Sequence, residues 1–242
     1  DQEFVQFSAL LGLAKNRLDY FQFPPFNQYI QRAESLIPQS GGLPLLLEGQ
    51  LYFLKGRATQ NRGQLDLANE YLSRAESIFE KDPRFWRALA EVYLFHAQAQ
   101  IRVNDLPRQK LYIDKAFALI LAHDQDLELL GDANLQLSRY YRQQNQWDDY
   151  LDQSQQAEQN FRQVFGGLHP KVAIAIQHQS HYYGQRGDLN TMLERLERTQ
   201  TILDQLFPEH YARIGQNAGL LSDCYRRLQR FELAHQYVDL AI

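Results

Sequence analysis

The 242-residue sequence predicts an all-α fold, an α-solenoid of about six helix-turn-helix repeats. Apolar residues recur at i, i+3, i+4 and i+7, for example over 71–79, and this is the period of an amphipathic helix. The segment RAESL at 32–36 is followed 42 residues later by RAESI at 74–78. Glycine and proline are few and cluster into short breaks, which is typical of helices joined by turns.

Two small residues recur in every repeat and define its register. The first belongs to the second helix of the repeat, and we call it the anchor residue: the anchors are Ala33, Ala75, Ala116, Ala157, Thr199 and Ala241. The other, which we call the small residue, stands nineteen positions earlier in the first helix: these are Ala14, Gly56, Ala97, Ser138, Ser180 and Ser222. Because six small residues in the same phase are improbable by chance, the repeat is real.

The breaks fall in the same phase, so each repeat contains helix A, a tight turn, helix B and a longer loop. The predicted turns are 21–25, 61–63, 104–107, 144–146, 186–188 and 228–230. The predicted loops are 38–44, 80–83, 122–126, 165–170 and 207–210. We therefore expect one repeat domain over 1–242, with units at approximately 1–41, 42–83, 84–125, 126–167, 168–208 and 209–242.

Composition limits the function classes. The net charge of −4 and the lack of a lysine-rich stripe argue against nucleic-acid binding through this domain. No apolar run approaches the roughly 20 residues of a membrane span, so we expect no membrane contact. The chain begins at Asp1 and ends at Ile242 in a helical pattern, which suggests a fragment of a larger protein. We expect a cytoplasmic location, or a periplasmic one if an upstream signal or anchor was removed.

The repeat resembles the tetratricopeptide repeat (TPR), in which a small residue of helix A, a Tyr three residues later, a Gly-Asp-like turn and the anchor recur together. The residues that carry the resemblance are Gly56, Gly63, Ala68, Leu72, Ala75, Ser180, Tyr183, Gly187, Leu196, Ser222, Tyr225, Ala234, Val238 and Ala241. The segment FGGLHPKVA at 165–173 is similar to the linker of kinesin-light-chain-type repeats, which have 42-residue units. The long, Gln-rich form also resembles repeat modules of bacterial signalling proteins and transcription regulators. The resemblance implies a right-handed α-solenoid whose A helices line a concave groove.

Four residues depart from the TPR pattern, which prefers alanine at the start of helix B. They are Phe26, Gln109, Tyr150 and Met192. We expect these larger side chains either to splay the helices or to be accommodated by repacking.

The sequence contains no phosphate-binding glycine loop, no HExxH and no CxxC motif. We therefore expect no enzyme activity and no cofactor. His178 and His181 have a spacing that could ligate a metal, but no accompanying cysteine or carboxylate pattern supports a metal site. We expect Cys224 to be a buried thiol, and Asp148 and Asp149 to complement the dipole at the start of a helix.

The positions one, four and five residues after the small residue face the groove in the TPR pattern. They are rich in Arg, Gln, Asn and His, whose donors suit peptide backbones, carboxylates and phosphates. The alternative is that they form ordinary solvated helix faces. The predicted partner-binding residues are Arg57, Gln60, Asn61, Gln98, Arg102, Arg139, Arg142, Gln143, His181, Gln185, Arg226 and Arg227.

The favoured function is a protein–protein interaction module that binds a peptide or protein segment in the groove, as part of a signalling or regulatory protein. The alternative is a ligand-sensing or oligomerisation domain of a bacterial transcription regulator or kinase, which a ligand-dependent rise in melting temperature would favour. If Ile242 is the true terminus, the last helix leaves Phe231, Val238 and Ile242 uncovered. We then expect further chain, or a second protomer in a homo-oligomer, to cover this edge.

Overall fold

The computed structural model describes residues 2–19, 23–37, 43–123, 126–207 and 212–241, and within these ranges it contains α-helices and no β-strand. Helices that follow one another pack as pairs, which confirms the predicted helical-repeat fold. No helix of the described ranges is both long and apolar enough to cross a membrane. The chain divides into two compact units, Asp1–Asp124 and Gln125–Ile242, which are described separately below.

The first unit contains three helix pairs. The pairs are α1 with α2, α3 with α4 and α5 with α6, and α5 also packs against α4 of the pair before it. A short 3-10 turn, Pro83–Phe85, leads into α5. The helices are α1 (Gln2–Asp19), α2 (Phe23–Glu34), α3 (Leu45–Asn61), α4 (Leu65–Phe79), α5 (Trp86–Val103) and α6 (Leu106–Ala122).

The second unit contains three further pairs, α7 with α8, α9 with α10 and α11 with α12. Here too each helix B packs against the next helix A, α8 against α9 and α10 against α11. The odd-numbered helices of both units are A helices and the even-numbered ones are B helices. The helices are α7 (Leu127–Gln143), α8 (Trp147–Phe165), α9 (Pro170–Arg186), α10 (Leu189–Leu206), α11 (Ala212–Arg227) and α12 (Phe231–Ala241).

The recurring small residues lie at the helix contacts, as the repeat pattern predicts. The five anchor residues whose side chains are described are at most 1% exposed. Among the small residues of the A helices only Ser222 is half-buried, and the rest are buried. The side chain of Ala241 and all of Ile242 lie outside what the structure describes, as do parts of the predicted breaks at 21–25, 38–44 and 207–210.

A residue in the left-handed backbone conformation follows helix A in each repeat from the second to the sixth. These residues stand seven positions after the small residue, with φ between 56° and 79°. Two are glycines, which adopt this conformation without a steric cost, and the others are Asn or Gln. They are Gly63, Asn104, Asn145, Gly187 and Gln229. Aspartates cap two of the following B helices: Asp105 and Asp188 each accept a hydrogen bond from a backbone N–H of the first turn.

The four bulky residues at the start of helix B are buried. Phe26, Gln109, Tyr150 and Met192 are at most 4% exposed. The hydroxyl of Tyr150 donates a hydrogen bond to the backbone carbonyl of His178 in the next helix A. Met192 fits because Gly184 has no side chain: a Cβ at this glycine would lie 2.7 Å from the Met192 sulfur.

Glycine and phenylalanine fit together where helix A crosses helix B in the second and fourth repeats. The glycine stands seven residues before the small residue, and the phenylalanine four residues after the anchor. A Cβ on Gly49 would lie 2.3 Å from the ring of Phe79, and one on Gly131 would lie 2.4 Å from the ring of Phe161. In the third and fifth repeats alanine faces a smaller residue at the same positions, which are Ala90 with Ile120 and Ala173 with Leu203.

Candidate functional site

In the first unit the predicted partner-binding residues lie in the last turns of α3 and α5. The guanidinium of Arg57 lies over the rings of Phe53 and Phe95, 5.7 Å and 4.8 Å from their centroids. Arg102 is exposed. Gln60 is only 1% exposed and therefore presents little surface to a partner. The half-buried residues of this set are Arg57, Asn61 and Gln98.

In the second unit the structure brings three predicted residues together around a buried tyrosine. The positive charge of Arg142 acts on His181 of the neighbouring A helix. The charges of Arg142 and Arg139 also act on the hydroxyl of Tyr150, which is fully buried. Arg142 is exposed, whereas Arg139 and His181 are half-buried. These three predicted residues of α7 and α9 are linked by electrostatic interactions with one another or with Tyr150. We call them the arginine–histidine cluster: Arg139, Arg142 and His181.

Two glutamines on α7 flank this cluster and offer free acceptors. The side-chain oxygens of Gln136 and Gln143 are buried and accept no hydrogen bond from the described residues. The two residues are seven positions apart, so they lie on the same face of the helix, with Arg139 between them. A buried amide oxygen without a donor costs free energy. If the side chain turned outward, a ligand N–H would satisfy it. The groove pattern did not include Gln136, although its spacing from Gln143 was a usable signal.

The remaining predicted residues of the second unit have contacts of their own. Arg227 donates a hydrogen bond to the backbone carbonyl of Gly184 at 2.8 Å, and Arg226 pairs with Asp223 in the same helix. Gln185 is exposed and lines a cleft of about 450 Å³. The cleft is lined by Asn145, Gln146, Trp147, Asp148, Asp149, Gln185 and Arg186.

The other candidate residues of the sequence have structural contacts. Asp148 lies in the first turn of α8 and accepts hydrogen bonds from Arg186 and the hydroxyl of Tyr182, at 2.9 Å and 3.0 Å. His178 lies 3.3 Å from the hydroxyl of Ser138. Burial raises the pKa of the Cys224 thiol, which lowers its reactivity. Within the described ranges no group of three or more His, Cys, Asp or Glu side chains is arranged to hold a metal ion.

The half-buried lysine Lys171 joins α9 to α7 and was not singled out by the sequence pattern. Its ammonium donates to Glu128 at 2.9 Å and to Asp132 at 2.6 Å, and it lies 5.4 Å from the centroid of the Phe161 ring. Burial opposes the charge, but the two carboxylates outweigh it and raise the pKa of Lys171. This ion pair network fixes the two A helices at the end opposite the arginine–histidine cluster.

His181 should make the protein less stable in mild acid. Burial, with a further contribution from Arg142, lowers its pKa from 6.5 to about 4. Below pH 6.5 His181 is protonated in the unfolded chain, whereas in the folded protein it stays neutral until about pH 4. The free energy of unfolding therefore falls as the pH decreases through this window. We expect His181→Gln to reduce this loss by about 2–3 kcal/mol, as measured by urea unfolding at pH 7.5 and pH 4.5.

The matched control for this measurement is His235→Gln, because His235 is exposed on α12. It should leave the pH dependence of the wild type unchanged. Equal pH dependence of the wild type and His181→Gln would contradict the assigned pKa.

Neither the protein-family models nor the curated proteins gave a match to this sequence. Solved structures do match its fold. A Rap protein complexed with competence and sporulation factor is 17% identical with a TM-score of 0.72, covering 96% of this chain and 63% of that one. NprR in complex with its cognate peptide NprX is 10% identical with a TM-score of 0.71, covering 100% of this chain and 67% of that one.

A kinesin light chain from Podosopora anserina with nearly identical TPR-like repeats is also similar. It is 16% identical with a TM-score of 0.56, and the match covers 81% of this chain and 92% of that one. These likenesses, together with the helix pairs and the buried small residues, confirm the resemblance identified in the sequence. The chain has the helical-repeat fold of the tetratricopeptide-repeat proteins.

Proposed function

We propose that this chain is a protein-interaction module that binds a peptide or an extended protein segment along the A helices of its second unit. The observation that carries the proposal is the pair of donor-free oxygens of Gln136 and Gln143 beside the arginine–histidine cluster. An extended peptide offers donors and acceptors that suit this face. Its N–H groups can donate to the glutamine oxygens, and its carbonyl or carboxylate groups can accept from arginine.

The charge of this face favours an anionic segment. In the second unit the positions one, four and five residues after each small residue contain four arginines and one aspartate, Asp223, which is paired with Arg226. The chain as a whole has a net charge of −4, so positive charge is concentrated on this face. Arginine binds carboxylate groups with two parallel hydrogen bonds, which supplies orientation as well as affinity.

Two of the similar structures contain a bound partner: Rap was solved with competence and sporulation factor, and NprR with its cognate peptide. Their presence among the structural neighbours supports a peptide ligand and a regulatory setting for this chain. The identity of about 10–17% transfers no binding residue, so the residues proposed here rest on the contacts in this chain.

Selection from a random peptide library displayed on phage would test the proposal. We expect enrichment of peptides rich in Asp and Glu, and we expect binding of an enriched synthetic peptide, followed by fluorescence anisotropy, to weaken with added salt. The double variant Arg139→Glu with Arg142→Glu should bind at least about tenfold more weakly, because a charge-assisted hydrogen bond contributes about 1.5–3 kcal/mol.

The control is Arg108→Glu, the same charge change at an exposed position of the B helix α6, which should bind as the wild type does. Arg142→Glu alone gives a second test, since Arg142 is exposed and its replacement leaves the core intact. Unchanged peptide binding by folded variants at Arg139 and Arg142 would exclude this face as the binding site.

A further inference from the structure

One exposed face of the B helix α6 is apolar. Its residues follow one another at intervals of four and three along the helix, and we call them the α6 stripe: Pro107, Leu111, Asp114, Ala118 and Leu121. All five are exposed, Leu111 by 53% and Leu121 by 58%, and only Asp114 is polar. The stripe extends over about 21 Å, which is two heptads. Its spacing is that of the seam along which one helix packs against another.

The same face is polar in the B helices that have a neighbour on both sides. The helices α4, α8 and α10 each pack against the A helix of their own repeat and that of the next. At the five stripe positions they carry only Asp, Glu, Asn, Gln, Ser, Thr and Arg. At the position of Leu111 these residues, all exposed, are Glu70, Asp152 and Glu194. The next repeat therefore does not cover this face, and the stacking of repeats does not require the apolar residues of α6.

The charge of α6 is also different. It carries three basic side chains and one acidic one, whereas each of the other B helices carries at least as many acidic as basic side chains. Lys110 lies on one side of the stripe, and Arg108 and Lys115 lie on the other. The ion pairs that Arg108 and Lys110 form within α6 and its cap are at the surface and contribute little to stability. Carboxylates of a partner can therefore compete for both.

We propose that the α6 stripe binds an amphipathic helix of a partner protein, whose own apolar seam is flanked by Asp and Glu. Leu111, Ala118 and Leu121 then pack against the apolar seam of that helix, which removes these side chains from water. The basic residues on both sides of the stripe attract the acidic flanks and select the partner by charge. Two heptads of contact bury less than the roughly 1,200 Å² of a stable interface, so the contact is transient.

Two other occupants fit the stripe less well. A second copy of this chain would bring two sets of basic flanks together, and like charges oppose that contact. A lipid surface would have to take up the carboxylate of Asp114, which is costly to transfer to an apolar medium. An acidic helix avoids both costs. The stripe belongs to the first unit and the arginine–histidine cluster to the second, so this proposal and the proposed function are tested separately.

Two synthetic peptides of about four heptads would test the proposal, since shorter isolated helices are marginal in water. Both contain leucine at heptad positions a and d, and one has glutamate and the other lysine at positions e and g. We expect fluorescence anisotropy to show binding of the glutamate peptide, weakened by added salt, and at least about tenfold weaker binding of the lysine peptide. The double variant Leu111→Glu with Leu121→Glu should bind the glutamate peptide at least about tenfold more weakly.

This double variant is compatible with the fold, because α4 carries Glu70 and Glu80 at the same two positions. Circular dichroism checks that each variant is folded. Leu67→Glu is the matched control, since Leu67 is 38% exposed on α4 outside the stripe positions, and it should bind as the wild type does. Arg108→Glu should weaken binding of the glutamate peptide by about two- to fivefold, although it leaves the peptide site of the second unit unchanged.

Equal binding of the glutamate peptide by the wild type and the folded double variant would overturn the proposal. Two further measurements distinguish the other occupants. Sedimentation velocity of the chain alone would overturn it by showing a dimer that the double variant does not form, since a second copy then covers the stripe. Binding to vesicles that contain phosphatidylserine, lost in the double variant and without binding of the glutamate peptide, would assign the stripe to a lipid surface instead.

Discussion

Replacing Phe161 with alanine is expected to lower the free energy of unfolding by about 3–5 kcal/mol. Phe161 is 0% exposed, and its ring lies in the core cluster of the second unit together with Val172 and Ile176. Truncation removes this apolar contact area and leaves a cavity that the surrounding helices fill only in part. Urea unfolding followed by circular dichroism gives the change directly.

Phe231→Ala is the matched control for this prediction. Phe231 is 58% exposed, so its truncation should change the free energy of unfolding by less than about 0.5–1 kcal/mol when measured at low protein concentration. Similar losses in the two variants would contradict the assignment of Phe161 to the core.

Adding a single methyl group at Gly131 is expected to destabilise the protein by about 1–3 kcal/mol. The Cβ of Gly131→Ala would lie 2.4–2.8 Å from three carbons of the Phe161 ring, closer than van der Waals contact permits. The ring is enclosed by the core and cannot move away without displacing its neighbours. In a Phe161→Leu background the same glycine substitution should cost much less, because the fifth repeat already combines Ala173 with Leu203 at these positions.

A double-mutant cycle measures this dependence as a coupling free energy between the two sites. Gly12→Ala on α1 is the control, because no atom lies within 4 Å of the added Cβ. There the substitution should stabilise the helix by up to about 1 kcal/mol, since alanine is the better helix former. Additive effects of the changes at Gly131 and Phe161 would show that the ring accommodates the methyl group after all.

The fold could be predicted from the sequence because small residues carry a steric requirement that is local and periodic. Wherever two helices cross closely, a large side chain is excluded, and Ala14, Ser138 and Ser180 satisfy this at 0% exposure. Helix ends were harder to place from residue type alone. The left-handed residue after helix A is a glycine at Gly63 and Gly187, but Asn104 fills the same role and has no glycine-like signature.

The candidate site was less predictable, because a repeat position indicates which side of the helix a residue occupies but not how far its side chain is exposed to solvent. Gln60 and Arg142 both stand four residues after the small residue, yet Gln60 is 1% exposed and Arg142 is exposed. The lowered pKa of His181 depends on its burial and on a charge from another helix, neither of which is encoded in local sequence. The assignment of the twelve residues to a binding groove therefore stays a prediction, and the arginine–histidine cluster is the part that the proposed experiments address.

The glycine–phenylalanine fit limits the positions at which repeats can be recombined without loss of stability. Both members of each pair belong to one repeat, Gly131 on its first helix and Phe161 on its second. Recombination in the loops between repeats therefore transfers a matched pair intact. A crossover in the turn inside a repeat would instead join alanine to phenylalanine, which clash, or glycine to leucine, which leaves a void. Exchange of sequence is thus tolerated at the loops between repeats and destabilising at the turns inside them, although the two sites are only about twenty residues apart.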